Sequence, residues 1–185
     1  MINLRSSTML RLRDRLRETG ARPSIVVSST DDVLAKAGLL PPEEQAAVRS
    51  IDPVVEMMYL MMAADGDIGD AEKTVIKGAV RELSENYVRS STLAVMLDGY
   101  GEKLARDGQK ARLEDVVERL GDDVPGTESA FVLAAAVAYA DENVQDEEND
   151  LLNAFAELAG IAEERANELL DELEQDWQGD VALPS

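Results

Sequence analysis

The 185-residue chain contains neither cysteine nor histidine. These absences exclude disulfides, thiol nucleophiles and metal sites built from thiolate or imidazole ligands, and they remove the most common general base of enzymes. Any bound metal would need oxygen ligands, which favours Ca²⁺, Mg²⁺ or Mn²⁺ over zinc, copper or haem iron. A di-iron bundle of the Glu-x-x-His type is excluded for the same reason.

Aromatic residues are scarce, at 4% of the chain, whereas aliphatic residues and alanine are plentiful. This balance suits the packing of helix on helix better than a sandwich of aromatic-rich strands, so the composition predicts an all-α fold. The length is sufficient for one folded domain with an appended segment of a few dozen residues.

Long hydrophobic runs are also missing. The longest charge-free apolar stretches, 57–64 and 129–140, are much shorter than the roughly 20 residues that a transmembrane helix needs. Early arginines interrupt any candidate secretory signal. We therefore expect a cytoplasmic protein, either free or peripheral at the inner face of the membrane.

Basic residues number 18 against 38 acidic ones, and the two signs are distributed unevenly. Residues 1–22 contain six arginines and two acids, whereas residues 121–185 contain 18 acids and a single base, Arg165. An acidic field repels phosphate backbones, so no nucleic-acid partner is expected. Cations or basic protein surfaces are better candidates.

The basic N-terminal segment has the pattern of an amphipathic helix, with arginines on one side and apolar residues on the other. The apolar positions are Ile2, Leu4, Met9, Leu12 and Leu16. We predict a basic arm and tether over 1–41, a helical domain over 42–178 and a frayed tail over 179–185. The arm could dock on its own acidic domain or a neighbouring copy, on a separate protein, or on anionic lipid, and the sequence leaves these options open.

Helix signals follow one another regularly after the tether. Pro42 can start one helix, and Asp52-Pro53 has the order of N-cap and proline that starts the next. Further helices are predicted over 70–87, 90–108, a shorter stretch to 121, 127–140, a stretch ending at Gly160, and 161–177. Four methionines, Met57, Met58, Met61 and Met62, are predicted to fill the core, although methionines can also line a docking groove.

A short acidic phrase occurs twice. Ala64–Glu72 (ADGDIGDAE) is matched 76 residues later by Ala140–Glu148 (ADENVQDEE), with four of nine positions identical. Each copy joins two apolar runs, which predicts a repeated helix–loop–helix corner. Neither copy is an EF-hand, because loop position six is not glycine and position twelve is Ile76 or Leu152 instead of glutamate.

The carboxylates of these corners allow three interpretations. With Gly69 or Gln145 as N-cap, the glutamate at N3 can accept a hydrogen bond from the cap's backbone N–H, although Asp70 and Asp146 are alternative caps. An aspartate at a helix C-terminus meets the unfavourable end of the helix dipole, which a cation, a neighbouring base or free N–H groups would offset. A bound cation, a purely structural cap and a protein-docking face therefore remain open.

The repeated phrase, with Leu151–Ile161 (LLNAFAELAGI) after the second copy, resembles the bacterial tellurite-resistance TerB family and its TerB-like relatives over roughly 52–177. The resemblance implies a compact bundle of about seven helices with pseudo-two-fold repeats. It also implies a non-catalytic role in stress or tellurite resistance through protein assembly, with a membrane link. The divalent-cation ligands that it implies are Asp65, Glu72, Asp141 and Glu148, with Asp67 and Asn143 as secondary candidates.

The two copies differ at one position that matters for the loop. Gly66 is replaced by Glu142, so a left-handed turn there would cost about 1 kcal/mol more in the second copy. We predict a non-enzymatic module that binds divalent cations at its corners and acts as an adaptor; the alternative is a metal-free domain that docks basic partners on its acidic face. A metal-dependent hydrolase ranks last, because no nucleophile or phosphate-binding loop accompanies the carboxylates.

Overall fold

A computed structural model describes residues 40–66, 69–140 and 144–178, without the side chains of 174–178. These residues form seven α-helices and no strand. The helices are α1 (Pro42–Met62), α2 (Asp70–Leu83), α3 (Ser90–Asp107), α4 (Gln109–Leu120), α5 (Val124–Ala138), α6 (Asp146–Leu158) and α7 (Glu163–Gln178). The all-α prediction is confirmed. The predicted arm, nearly all of the tether, and the tail lie outside the described residues.

Helices α1 and α5 form the centre of the bundle. Residues 54–62 of α1 are buried on every side, and so is α5 from 126 to 138 except for half-buried Glu128. A helix that is apolar all round is stable only inside a protein, and the small alanines of α5 allow its neighbours to approach closely. Helices α2, α3, α4 and α6 surround α1, and α7 packs on α5. The four clustered methionines are at most 2% exposed, which confirms them as core.

Helix α1 runs through Pro53 without interruption, so the predicted break at Asp52-Pro53 is wrong. Proline has no N–H, and one bond of the helical ladder, to the carbonyl of Arg49, is therefore missing. Asp52 does not act as a cap, because its carboxylate accepts hydrogen bonds from Tyr100 and Arg119 on other helices. Tertiary contacts here outweigh a local start signal.

Two further boundaries differ from the sequence prediction. Helix α2 ends at Leu83 rather than Tyr87, because Glu85 and Asn86 have φ angles of 52° and 66° that a right-handed helix cannot contain.

Helix α5 begins at Val124, one turn before the predicted Thr127. Asp123 is the N-cap, and its Oδ1 accepts a hydrogen bond from the backbone N–H of Gly126 at 3.2 Å. A side chain at position 126 would collide with this carboxylate, so the cap also explains the glycine.

The start of α3 is capped by a residue of another helix. Arg89 is the N-cap residue, and its own side chain makes no cap bond. Instead Glu44 of α1 accepts hydrogen bonds from the Arg89 N–H (3.0 Å), Arg89 Nε (2.8 Å) and Thr92 Oγ1 (2.5 Å). Burial opposes the charge of Glu44, but these hydrogen bonds and the charge of Arg89 outweigh it and hold its pKa below the usual value.

Replacing Glu44 with glutamine should lower the free energy of unfolding at pH 7 by about 1–3 kcal/mol, because the negative charge beside Arg89 is lost and an NH₂ group replaces one of the two accepting oxygens. A depressed carboxylate pKa stabilises the fold above the unfolded pKa of roughly 4.3, and this contribution disappears as the pH falls through the lower folded value. Urea unfolding should therefore show the gap between Glu44→Gln and wild type closing below about pH 4. Glu43→Gln, at an exposed site in the same turn, is the matched control; an equal loss in both variants would contradict the assignment.

Candidate functional site

The repeated acidic phrase forms two corners, one between α1 and α2 and one between α5 and α6. Both are helix–loop–helix units, as predicted. In the first corner Gly66 has a φ of 84°, which is the left-handed turn expected at this glycine. Its counterpart Glu142 lies outside the described residues.

Glu72 and Glu148 act as acceptors for the starts of their own helices. Oε2 of Glu72 accepts a hydrogen bond from the N–H of Gly69 at 2.6 Å, and Oε2 of Glu148 accepts one from the N–H of Gln145 at 2.7 Å. The two glutamates are only 7% and 5% exposed. Gly69 and Gln145 are thus the N-caps, and each corner contains the glutamate half of a capping box, since neither cap residue makes a side-chain bond.

The predicted cation ligands are only partly covered by the structure. Asp65 is exposed in the turn after α1, whereas Glu72 and Glu148 are buried against helix starts. The remaining three candidates, Asp67, Asp141 and Asn143, lie outside the described residues. Among the residues that are described, no group of three or more carboxylates could hold a metal ion. Cation binding at the corners therefore remains a prediction.

The structural role of the corner glutamates can be separated from cation binding by calorimetry. Glu72→Ala and Glu148→Ala should each lower the free energy of unfolding by about 1 kcal/mol, because the cap N–H loses its acceptor. We expect this loss to be the same in EDTA and in millimolar Ca²⁺, Mg²⁺ or Mn²⁺, with exposed Glu147→Ala as control. A wild type that gains stability with added cation, and loses that gain on Glu72→Gln and Glu148→Gln, would instead establish a metal site.

A group of buried charged side chains lies between α1, α3 and α4, and it was not predicted from the sequence. We call it the ionic cluster. It consists of Asp52, Glu56, Tyr100, Lys103, Arg112, Asp115 and Arg119.

Glu56 is the centre of the ionic cluster and is 0% exposed. Its Oε1 accepts hydrogen bonds from Nε and Nη2 of Arg112 at 2.9 and 2.6 Å. Its Oε2 accepts one from Arg119 and lies 3.9 Å from Nζ of Lys103. Three cations from two helices thus surround one buried carboxylate, which satisfies a charge that would otherwise be very costly to bury.

The rest of the ionic cluster balances these cations. Asp52 accepts from the Tyr100 hydroxyl at 2.7 Å and from Arg119. Asp115 accepts from Arg112 at 2.7 Å and from Arg119 at 2.8 Å. Burial opposes the charge on Arg119, but the surrounding carboxylates outweigh it and raise its pKa.

The ionic cluster is not arranged as a catalytic site, because its charged groups are bonded to one another. Three carboxylates face three cations, and every carboxylate already accepts hydrogen bonds from its neighbours. Its members are at most 8% exposed apart from half-buried Asp115. The arrangement holds α4 in one position against α1 and α3.

A sequence signal for this cluster exists. Asp52 and Glu56 are four residues apart in a stretch, 51–62, that is otherwise free of charge, and Arg112, Asp115 and Arg119 recur on one side of α4. Charges beside apolar helix positions need buried partners, although the pattern does not say which ones.

Glu56→Gln should lower the free energy of unfolding by about 3–5 kcal/mol, because it leaves Arg112 and Arg119 buried beside a neutral group. Exposed Glu118→Gln on α4 removes the same charge and should change it by less than about 0.5 kcal/mol. Urea unfolding measures both. A cost below about 1 kcal/mol for Glu56→Gln would mean that the ionic cluster does not hold α4 in place.

Exposed carboxylates dominate α6 and α7. We call these residues the acidic surface, and they are Asp146, Glu147, Asp150, Glu157, Glu163, Glu164, Glu168, Asp171 and Glu172.

Arg165, the one base among residues 121–185, joins α7 to α5. Its Nε and Nη2 donate to the two oxygens of Glu128 on α5, each at 2.8 Å, and Nη1 donates to Glu168 at 3.0 Å. These hydrogen bonds raise the pKa of Arg165. Nη1 also lies 3.8 Å from Glu172, so Arg165 offsets part of the charge at Glu168 and Glu172.

In comparisons with known proteins, no family model, no curated protein and no solved structure matches this chain. The TerB-like resemblance therefore rests on the two corner phrases. Within the described ranges, no helix combines the length and apolar character needed to cross a membrane.

Proposed function

We propose that this protein is a non-enzymatic helical adaptor that docks a basic segment of a partner protein on its acidic surface. The observation that carries the proposal is the uneven distribution of exposed charge on α6 and α7. Nine carboxylates reach solvent there, while Arg165 is half-buried and bonded to Glu128. A field of one sign attracts partners of the opposite sign and speeds their association.

The partner that fits is a peptide or protein surface rich in lysine and arginine. Acidic fields repel nucleic acid, so the proposal excludes that class of partner. By its resemblance to TerB-like proteins, the adaptor would act in a stress or tellurite-resistance assembly in the cytoplasm. The missing cysteines rule out direct thiol chemistry on tellurite in this chain.

Catalysis forms no part of the proposal. The chain lacks histidine and cysteine, and the carboxylates of the ionic cluster already accept hydrogen bonds from arginine or tyrosine. A general base needs a substrate proton within reach, whereas these groups are occupied by internal partners.

A second candidate function is the binding of Ca²⁺, Mg²⁺ or Mn²⁺ at the corners. It is supported by the recurrence of a buried glutamate with the same hydrogen bond in both copies, next to loops rich in carboxylates. Oxygen ligands of this kind suit hard cations. We rank it second, because the cap role alone accounts for the buried position of both glutamates.

A fluorescent basic peptide tests the docking function. An 18-residue amphipathic peptide with arginines on one side and leucines on the other should bind in about 50 mM salt and at least tenfold more weakly in about 500 mM salt. Glu157→Gln, Glu163→Gln and Glu164→Gln together should weaken binding about tenfold, as expected for three exposed charge contacts. Fluorescence anisotropy measures both effects.

The matched control removes three exposed carboxylates elsewhere, through Glu102→Gln, Glu114→Gln and Glu118→Gln on α3 and α4. Both triple variants have the same net charge. If the two variants weaken peptide binding equally, the peptide responds only to the overall charge of the protein, and a defined docking surface on α6 and α7 is refuted.

A further inference from the structure

Three helix ends meet at one end of the bundle. Helix α6 ends at Leu158 and α7 begins at Glu163, so these two helix ends are neighbours along the chain. The ion pair of Glu128 and Arg165 joins the early turns of α5 and α7. The start of α5 therefore lies at the same end.

Exposed apolar side chains occupy this end. Val124, at the start of α5, is 63% exposed, and Leu158, at the end of α6, is 47% exposed. Ile161, between α6 and α7, is half-buried. Exposed carboxylates flank them on all three helix ends. We call the seven residues the end patch, namely Asp122, Val124, Glu157, Leu158, Ile161, Glu163 and Glu164.

Local helix electrostatics explains only some of these carboxylates. Glu163 and Glu164 lie in the first turn of α7, where the helix dipole favours acids. Glu157 lies in the last turn of α6, where the dipole disfavours them. A surface that carries exposed apolar and acidic side chains together is complementary to an amphipathic segment whose apolar side is bordered by arginines.

We infer that residues 1–22 of this same chain dock on the end patch and compete with the basic partner for it; this inference rests on the proposed function. The segment has six arginines, two acids and a row of apolar residues at helical spacing. Its charge is opposite to that of the end patch, and its apolar residues provide packing partners for Val124 and Leu158. No other part of the chain combines a basic charge with this pattern.

The tether allows the docking. Residues 23–41 separate the segment from α1, and a stretch of this length can span at most about 60 Å. A domain of this size has a radius of gyration of about 14 Å, so every face is within reach. Because the segment is covalently attached to the domain, its docking is intramolecular and does not depend on the protein concentration.

Paramagnetic relaxation in the full-length protein tests the contact. Because the chain has no cysteine, Ser7→Cys accepts a nitroxide label at a single site. In about 50 mM salt the label should broaden the amide signals of Val124, Leu158 and Ile161, and in about 1 M salt the broadening should vanish. Arg11→Gln, Arg13→Gln, Arg15→Gln and Arg17→Gln together should abolish it, as should the triple variant of Glu157, Glu163 and Glu164. The control triple on α3 and α4 should not.

A mixed sample identifies the source of the arm. Unlabelled ¹⁵N protein mixed with spin-labelled ¹⁴N protein should show no broadening if the arm docks on its own domain. Broadening that occurs only between molecules would overturn the inference in favour of a neighbouring copy. Absence of broadening at the end patch in every sample would overturn it outright.

The basic peptide separates this inference from the proposed function. If the arm competes, the variant with four arginines replaced should bind the peptide about tenfold more tightly than wild type. Equal binding to both proteins would refute the competition and leave the docking surface intact. No binding to either protein would refute the docking surface itself.

Discussion

A carboxylate buried in the central helix α1 constrains how α3 and α4 pack against it. Glu56 is fully enclosed, and an ionised group in that position needs cationic partners within hydrogen-bonding distance. Arg112 and Arg119, two turns apart on α4, supply them, and Asp52 and Asp115 balance the second arginine. Any rotation or sliding of α4 would leave a buried charge without its partner. Apolar contacts alone would tolerate such shifts more readily, so the charges define the arrangement.

Carboxylates also act as hydrogen-bond acceptors at the starts of four helices. Glu44 serves α3, Glu72 serves α2, Glu148 serves α6 and Asp123 serves α5, each by accepting a backbone N–H. The bundle therefore needs some of its acidic residues for its own stability, because the free N–H groups at helix starts need acceptors and the helix dipole favours negative charge at these positions. The carboxylates left over lie on the outside of α6 and α7. That surplus is what the proposed docking function uses.

Local sequence patterns predicted much of the fold and one feature of each acidic corner, the glutamate that caps the second helix. The apolar periodicity located all seven helices, and the N3 position of the repeated glutamates correctly suggested a cap on Gly69 and Gln145. Where the prediction was wrong, distant residues decided the outcome. Asp52 resembled an N-cap, but Tyr100 and Arg119 take its carboxylate into the core, and α1 continues through Pro53.

The sequence by itself determined the all-α class, the burial of the four clustered methionines, the duplicated corners and the excess of acid in the last third, because each depends on composition or on periodicity within a few turns. Only the tertiary structure decided which charges are internal and which face solvent. Partners such as Glu56 and Arg119, or Glu44 and Arg89, are 63 and 45 residues apart, and helical spacing carries no information about such pairs. Their hydrogen bonds exist only after the helices have packed.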